Sequence, residues 1–210
     1  ESKRKGMGGF DIWDIGVSVD PDSVIPAGPA FLSDESLQAI AYAVREADRL
    51  GLELGLTFSS SWNAGGSWVK PEHGAMGLFR EDTIITGPQS FSGTIPFPLI
   101  PEKYQGRKNL SAKYRDLQTG LPAFYKEVAL IAHPYQKDSS ISSLQQIVNL
   151  EVGSKGELKW EVPAGDWRII RYVCAPTGQP LAMPSTKSNG LMLDHFSAAA
   201  QQANLDYIFK

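Results

Sequence analysis

The sequence predicts an α/β fold joined to an all-β part: a partial (β/α)8 TIM-barrel piece carrying an inserted, antiparallel, β-sandwich-like domain. Three observations predict it. A helical pattern from Ser33 to Leu50 runs directly into a short alternating apolar run and then a glycine-rich loop, the repeating unit of parallel α/β proteins. The next stretch, on the order of a hundred residues, reads as antiparallel strands, enough for a small sandwich. Strand-then-helix grammar resumes at Gly190. The expected boundaries are 1–74 for the first barrel part, 75–178 for the inserted β domain and 179–210 for the return to the barrel.

The elements follow in order. The basic opening ESKRK reads as the end of a helix whose start is absent, and the chain stops inside an apparent helix at Tyr207–Lys210, so a fragment of a longer polypeptide is expected. GFDIWDI, from Gly9 to Ile15, is a short β-rich run after a glycine pair and predicts a strand ending near Trp13 or Asp14. Val17 to Phe31 holds Pro21, Pro26 and Pro29 and predicts a long irregular loop. Ser33 is a suitable N-cap, with Asp34 and Glu35 at the positive end of the helix dipole. Leu37, Ile40, Ala41, Val44, Ala47 and Leu50 make one apolar stripe at helical period, and Gly51 suits the stop. Leu52, Leu54, Leu56 and Phe58 then alternate as a strand.

Pro71 opens a short turn with Glu72 and His73. GLFREDTIIT, a turn at Gly87-Pro88 and FSGTIPFPLI predict two strands, and AFYKEVALIAHP predicts another, with Val128, Leu130 and Ala132 on one face. Leu144–Val152 predicts a further strand. GELKWEV, a PAGD turn and WRIIRYVCAP read as the clearest hairpin. Thr177–Asn189 is a proline- and serine-bearing loop, GLMLD a short strand, and Ser197 a cap for a last helix.

Bulk properties exclude several classes. The 210 residues are 42% hydrophobic and 20% charged, an ordinary globular composition. A formal net charge of −3 argues against nucleic acid as the main partner. No apolar run approaches the roughly 20 residues of a membrane span. The single cysteine, Cys174, forms no internal disulfide and reads as a core residue, and the three histidines show no metal-ligand spacing.

Candidate ligand-contacting residues sit at predicted strand ends. Asp14 beside Trp13 suits a sugar: the acid accepts from hydroxyls while the ring packs on a C–H face. The bland reading is a loop cap and a core indole. The loop SSSWNAGGSW offers hydroxyls, an amide and two indoles, and favours Trp62 and Asn63 over Trp68 as contacts; otherwise it is a tight packed loop. It has neither a phosphate-loop nor a dinucleotide-loop order. Glu72-His73 suits an acid/base pair or a ligand contact, against a helix-dipole role. Asp194 ends the third candidate strand and shares the logic of Asp14. Glycoside hydrolysis needs two carboxyl groups about 5–10 Å apart, and spacing in the sequence does not establish such a pair.

The segments GMGGFDIWDIG, PAGPAFLSDESLQAIAYAVREADRLGLELGLTFSSSWNAGGSWVKPEHGAM, YKEVALIAHP, VPAGDWRIIRYVCAPTGQ and GLMLDHFS together resemble the glycosyl hydrolase family 106 α-L-rhamnosidases, in the same order along nearly the whole chain. The resemblance implies a (β/α)8 catalytic barrel with inserted β domains. It implies removal of terminal α-L-rhamnose from plant polysaccharides or glycosides with inversion, calcium at the active site, and a secreted or periplasmic home. It also implies that the catalytic glutamates lie on later strands outside this chain, so Glu53, Glu72 and Glu81 receive no acid or base role. This chain alone is expected to be inactive, its partners being a rhamnose-containing glycan and the rest of the longer polypeptide. Asp14, Trp62, Asn63 and Asp194 become expected barrel-mouth residues, with Trp13 and His73 as further contacts. The competing readings are a non-catalytic carbohydrate-binding module using Trp13, Trp62 and Trp68, and a structural β domain without a ligand.

Overall fold

The computed structural model describes residues 1–16, 28–104, 107–137, 143–185 and 187–210. Most of the long loop expected between 17 and 31 lies outside the described residues. The chain forms two compact units, one of residues 1–75 with 178–210, the other of residues 76–177. The elements in chain order are β1 (Gly9–Ile12), α1 (Asp34–Leu50), β2 (Glu53–Leu56), β3 (Gly65–Gly66), β4 (Met76–Thr94), β5 (Lys103–Tyr104), β6 (Arg107–Lys108), β7 (Lys126–Pro134), β8 (Val148–Leu150), β9 (Glu157–Pro176), β10 (Leu191–Met192) and α2 (Ala198–Ile208). The protein is mostly sheet with few helices, and its sheets are open.

In the first unit α1 connects two parallel neighbours. Phe10 of β1 lies opposite Leu54 of β2, and Ile12 opposite Leu56. Ser33 Oγ accepts from Ser36 N at 3.3 Å and so caps the start of α1. Gly51, at φ 60°, ends it, and Leu52 N reaches back to Ala47 O at 2.9 Å. Of the apolar stripe only Ala47 is fully buried; Leu37, Val44 and Leu50 remain exposed.

GLMLD does not extend this parallel sheet, as the barrel reading expects. Leu191 and Met192 pair antiparallel with Gly66 and Gly65, and Leu193 bridges antiparallel to Gly74. Glycine permits that seam: a Cβ on Gly65 would lie 2.3 Å from Leu191 O, and one on Gly190 2.0 Å from Gly66 O. Among the described residues, parallel pairing stops at β1 and β2.

The second unit holds one four-stranded antiparallel sheet, in the order β4-β9-β7-β8, rather than two packed sheets, together with the small β5-β6 ribbon. The two turns expected at Gly87-Pro88 and at Pro163–Asp166 are not turns. β4 and β9 are long strands paired along their whole length, with Phe79 opposite Val173 and Phe91 opposite Trp160. Gly87 faces Gly165, and the register shifts between Gly87 and Gln89. The two irregularities lie opposite each other, so a bulge absorbs both and the ladder continues on either side.

A second bulge between Glu127 and Ala129 corrects the face assignment in β7. Strict alternation groups Val128 with Leu130 and Ala132. The extra residue shifts the phase: Leu130 and Ala132 are buried, while Val128 is exposed. Glu127 instead lies opposite Val173, and its carboxylate binds the buried Arg171 guanidinium through both Nε and Nη2. Ile85, Ile95, Leu130, Ala132, Leu158, Val162 and Ile169 form the main core, and Ile100, Val173 and Ala175 a second cluster. The strand expected from Leu144 begins as a 3-10 turn, Leu144–Gln146, before β8.

Candidate functional site

β1 and β2 are parallel, so their carboxyl ends point the same way and deliver their following loops to one edge. Thr57 N donates to Ile12 O at 3.0 Å and extends the pairing by one step. Trp13 and Asp14 follow β1 at this edge; Ser59 to Trp62 follow β2.

The two indoles meet there. The rings of Trp13 and Trp62 pack edge to face, with centroids 4.4 Å apart and planes 72° apart. Trp13 is 45% exposed and Trp62 58%. Their N–H groups are tied inward. Trp13 Nε1 donates to Ser61 O at 3.1 Å, and Trp62 Nε1 to Met183 Sδ at 3.1 Å. Both rings thus keep part of their surface in solvent while their N–H edges are satisfied. Beside Trp13, Asp14 Oδ2 is buried without a hydrogen-bond partner among the described residues.

The serine hydroxyls are not available in the way the sequence suggests. Ser59, Ser60 and Ser61 are all buried. Ser59 Oγ donates to Ser61 O at 3.1 Å. Ser60 Oγ and Ser185 Oγ are hydrogen-bonded at 2.7 Å, and Ser60 Oγ accepts from Ser185 N at 2.9 Å. Ser61 Oγ donates to Asn63 Oδ1 at 3.2 Å and accepts from Met183 N at 3.1 Å. Asn63 Oδ1 also accepts from Ala182 N at 3.3 Å. These side chains stitch the loop to residues 182–185, a segment that carries no local sequence signal of this role.

His73 and Asp194 are brought together through backbone, since Asp194 N donates to His73 O at 2.9 Å. Leu193 N donates to Ala64 O at 2.9 Å, one step beyond the Met192–Gly65 pair of the antiparallel seam. Asp194 Oδ1 accepts from Phe196 N at 3.0 Å and shapes the entry to α2. Trp68 stands apart from the exposed pair. Its ring stacks on Tyr207 at 4.4 Å and on Phe31 at 5.7 Å, and its N–H donates to Asn204 Oδ1 at 2.8 Å. Trp68 therefore anchors α2.

Among the described residues no group of three or more His, Cys, Asp or Glu side chains comes together to hold a metal ion. No described helix is long and apolar enough to cross a membrane.

The chain resembles proteins of known class. A protein of Formosa agariphila named "Putative beta-glucuronidase" is 27% identical over 85% of this chain, which spans 16% of that protein. The structure of a rhamnosidase from Novosphingobium sp. PP1Y superposes with a TM-score of 0.65 at 16% identity, covering 99% of this chain and 34% of its own. The chain thus spans a minor part of the length of both. The family described as alpha-L-rhamnosidase matches residues 1–155. Because that match takes in well over half of its residues, the chain belongs to the alpha-L-rhamnosidase family, glycosyl hydrolase family 106.

Proposed function

We infer that this chain is the early part of a glycoside hydrolase that removes terminal α-L-rhamnose from plant polysaccharides or glycosides, and that its share of the work is to hold sugar. The observation that carries this is the Trp13–Trp62 pair beside the unpartnered Asp14 Oδ2, at the shared carboxyl edge of β1 and β2. Exposed indole surface takes the C–H face of a pyranose, and the half-buried Asp14 carboxylate beside it is an acceptor for a hydroxyl. Asn63, His73 and Asp194 extend the same surface. In this reading β1, α1 and β2 open a (β/α)8 barrel, the second unit is inserted after them, and the exposed Leu37, Val44 and Leu50 of α1 pack against later barrel helices. An inverting mechanism places two carboxyl groups roughly 6.5–9.5 Å apart around a water, and both belong to later strands. A substrate of this kind places the enzyme outside the cytoplasm.

A non-catalytic carbohydrate-binding module is the second reading, favoured by the exposure of both indoles. The test compares this chain with the longer polypeptide on an aryl α-L-rhamnoside. Rhamnose release by the longer protein, with binding but no release by this chain, is the expected result. Release by this chain would overturn the external placement of the carboxyl pair; binding without release by the longer protein would establish the module. Asp14→Asn in the longer protein is expected to raise KM or lower kcat with its melting temperature unchanged, and unaltered kinetics would remove Asp14 from the subsite.

A further inference from the structure

We propose that Met183 and Ser61 are positioning residues that set the angle between the two exposed indoles, and so tune this chain's affinity for sugar. The proposal rests on the reading of Trp13 and Trp62 as a sugar platform. Its structural basis is independent of that reading. All three hydrogen-bonding groups of Met183 are engaged, one of them by an indole and one by the residue that holds the other indole. The Met183 N–H donates to Ser61 Oγ at 3.1 Å, its carbonyl accepts from Gly16 N at 3.0 Å, and its sulfur accepts from Trp62 Nε1 at 3.1 Å. Ser61 closes the arrangement from the other side, because its carbonyl accepts from Trp13 Nε1 at 3.1 Å. Each indole is therefore held by one of two directly bonded residues.

An indole has one N–H and no acceptor, so a single partner fixes how the ring turns about its outer torsion. A leucine at 183 would fill a similar volume and leave Trp62 Nε1 without that partner. A thioether is a weak acceptor on a flexible stem, which holds the ring while letting it adjust to a bound sugar. A preset ring angle lowers the ordering cost of binding.

The experiment uses the 210-residue chain, labelled with 15N, titrated with methyl α-L-rhamnopyranoside while the five indole N–H signals are followed. Trp62→Phe identifies the Trp62 signal. Met183→Leu is expected to move that signal, speed its exchange with water and weaken binding about five-fold, the worth of one ordinary hydrogen bond. Met183→Gln supplies an amide oxygen and is expected to restore affinity to within about two-fold. Ser61→Ala, the second variant should Met183→Leu fail to fold, keeps the carbonyl that holds Trp13 but removes the Oγ bond to Met183 N, and is expected to move the Trp62 signal and weaken binding; an unmoved Trp62 signal with unchanged affinity would overturn the positioning role of Ser61. Unchanged affinity in Met183→Leu, with binding lost in Trp62→Phe, would overturn the positioning role and leave the platform standing. Equal losses in Met183→Leu and Met183→Gln would reduce Met183 to packing and also overturn it. Absence of binding by the unaltered chain would overturn the platform reading itself.

Discussion

Removing Glu127 is expected to be among the most damaging single changes in the second unit. Arg171 is 1% exposed, and the bidentate Glu127 carboxylate is its charged partner. Its other interactions among the described residues include Ile95 O at 2.6 Å, the Phe97 ring at 5.4 Å and the charge of the exposed Glu157 carboxylate. Glu127→Ala therefore leaves a buried guanidinium without its hydrogen-bonded carboxylate. Breaking a buried pair in this way costs about 3–5 kcal/mol. Glu127 itself is 16% exposed on its side chain, so some water reaches the pair and the lower end, about 3 kcal/mol, applies. At a urea m-value of about 2 kcal/mol per molar, the midpoint falls by about 1.5 M. The double variant Glu127→Leu/Arg171→Met removes both charges and is expected to recover most of that loss or exceed the starting stability. Urea unfolding followed by far-UV circular dichroism gives the midpoints, and hydrogen exchange of β9 peptides locates the loss in this unit. A Glu127→Ala cost below about 1 kcal/mol, or additivity of Glu127→Leu and Arg171→Met in the double variant, would refute the argument that the pair acts as a desolvated unit.

Three further outcomes are expected. Gly156→Ala places a Cβ 2.2 Å from Arg171 Nη1 and 2.8 Å from Ile95 O at φ +87°, so strain and clash together should cost about 2–3 kcal/mol, measured by the same unfolding assay. Asn204→Leu takes the acceptor from Trp68 Nε1 and should lower stability by about 1–2 kcal/mol, with faster exchange of the Trp68 indole proton in NMR spectra. In the loop from Arg115 to Pro122, hydrogen bonds from Thr119 N, Thr119 Oγ1 and Gln118 N hold the Asp116 carboxyl below its ordinary value. A depressed folded-state value means the stabilisation is complete above the unfolded-state value and disappears as pH falls through the folded one; the protection of the Thr119 amide relative to its intrinsic exchange rate should fall in acid, and Asp116→Asn should abolish that dependence.

What could be read from the sequence was what short-range chemistry decides. The helix α1 follows from Ser33, its apolar stripe and Gly51, all within one segment, and β2 from the alternation after it. The same short-range marks mislead at the long strands. Gly87-Pro88 and Pro163–Asp166 carry the local marks of turns, and only the facing of Gly87 with Gly165, far apart in the chain, turns them into one bulged ribbon. Glu127 looks like an outward residue until the bulge beside it and a buried Arg171 are known. At the candidate site the exposed Trp13 and Trp62 were nameable from their places after predicted strands. The use of Ser60, Ser61 and Asn63 was not, since their partners lie more than a hundred positions away in a loop without periodicity.

The way the serine loop grips residues 182–185 also sets a rule for divergence. At Ala182, Met183 and Ser185 the loop's side-chain oxygens bind main-chain N–H groups, which every residue except proline possesses. Kinship within the family should therefore preserve the gripping side, Ser60, Ser61 and Asn63, while position 182 drifts freely among non-proline residues. A proline arriving at 182 or 185 would open the clasp as surely as the loss of a serine.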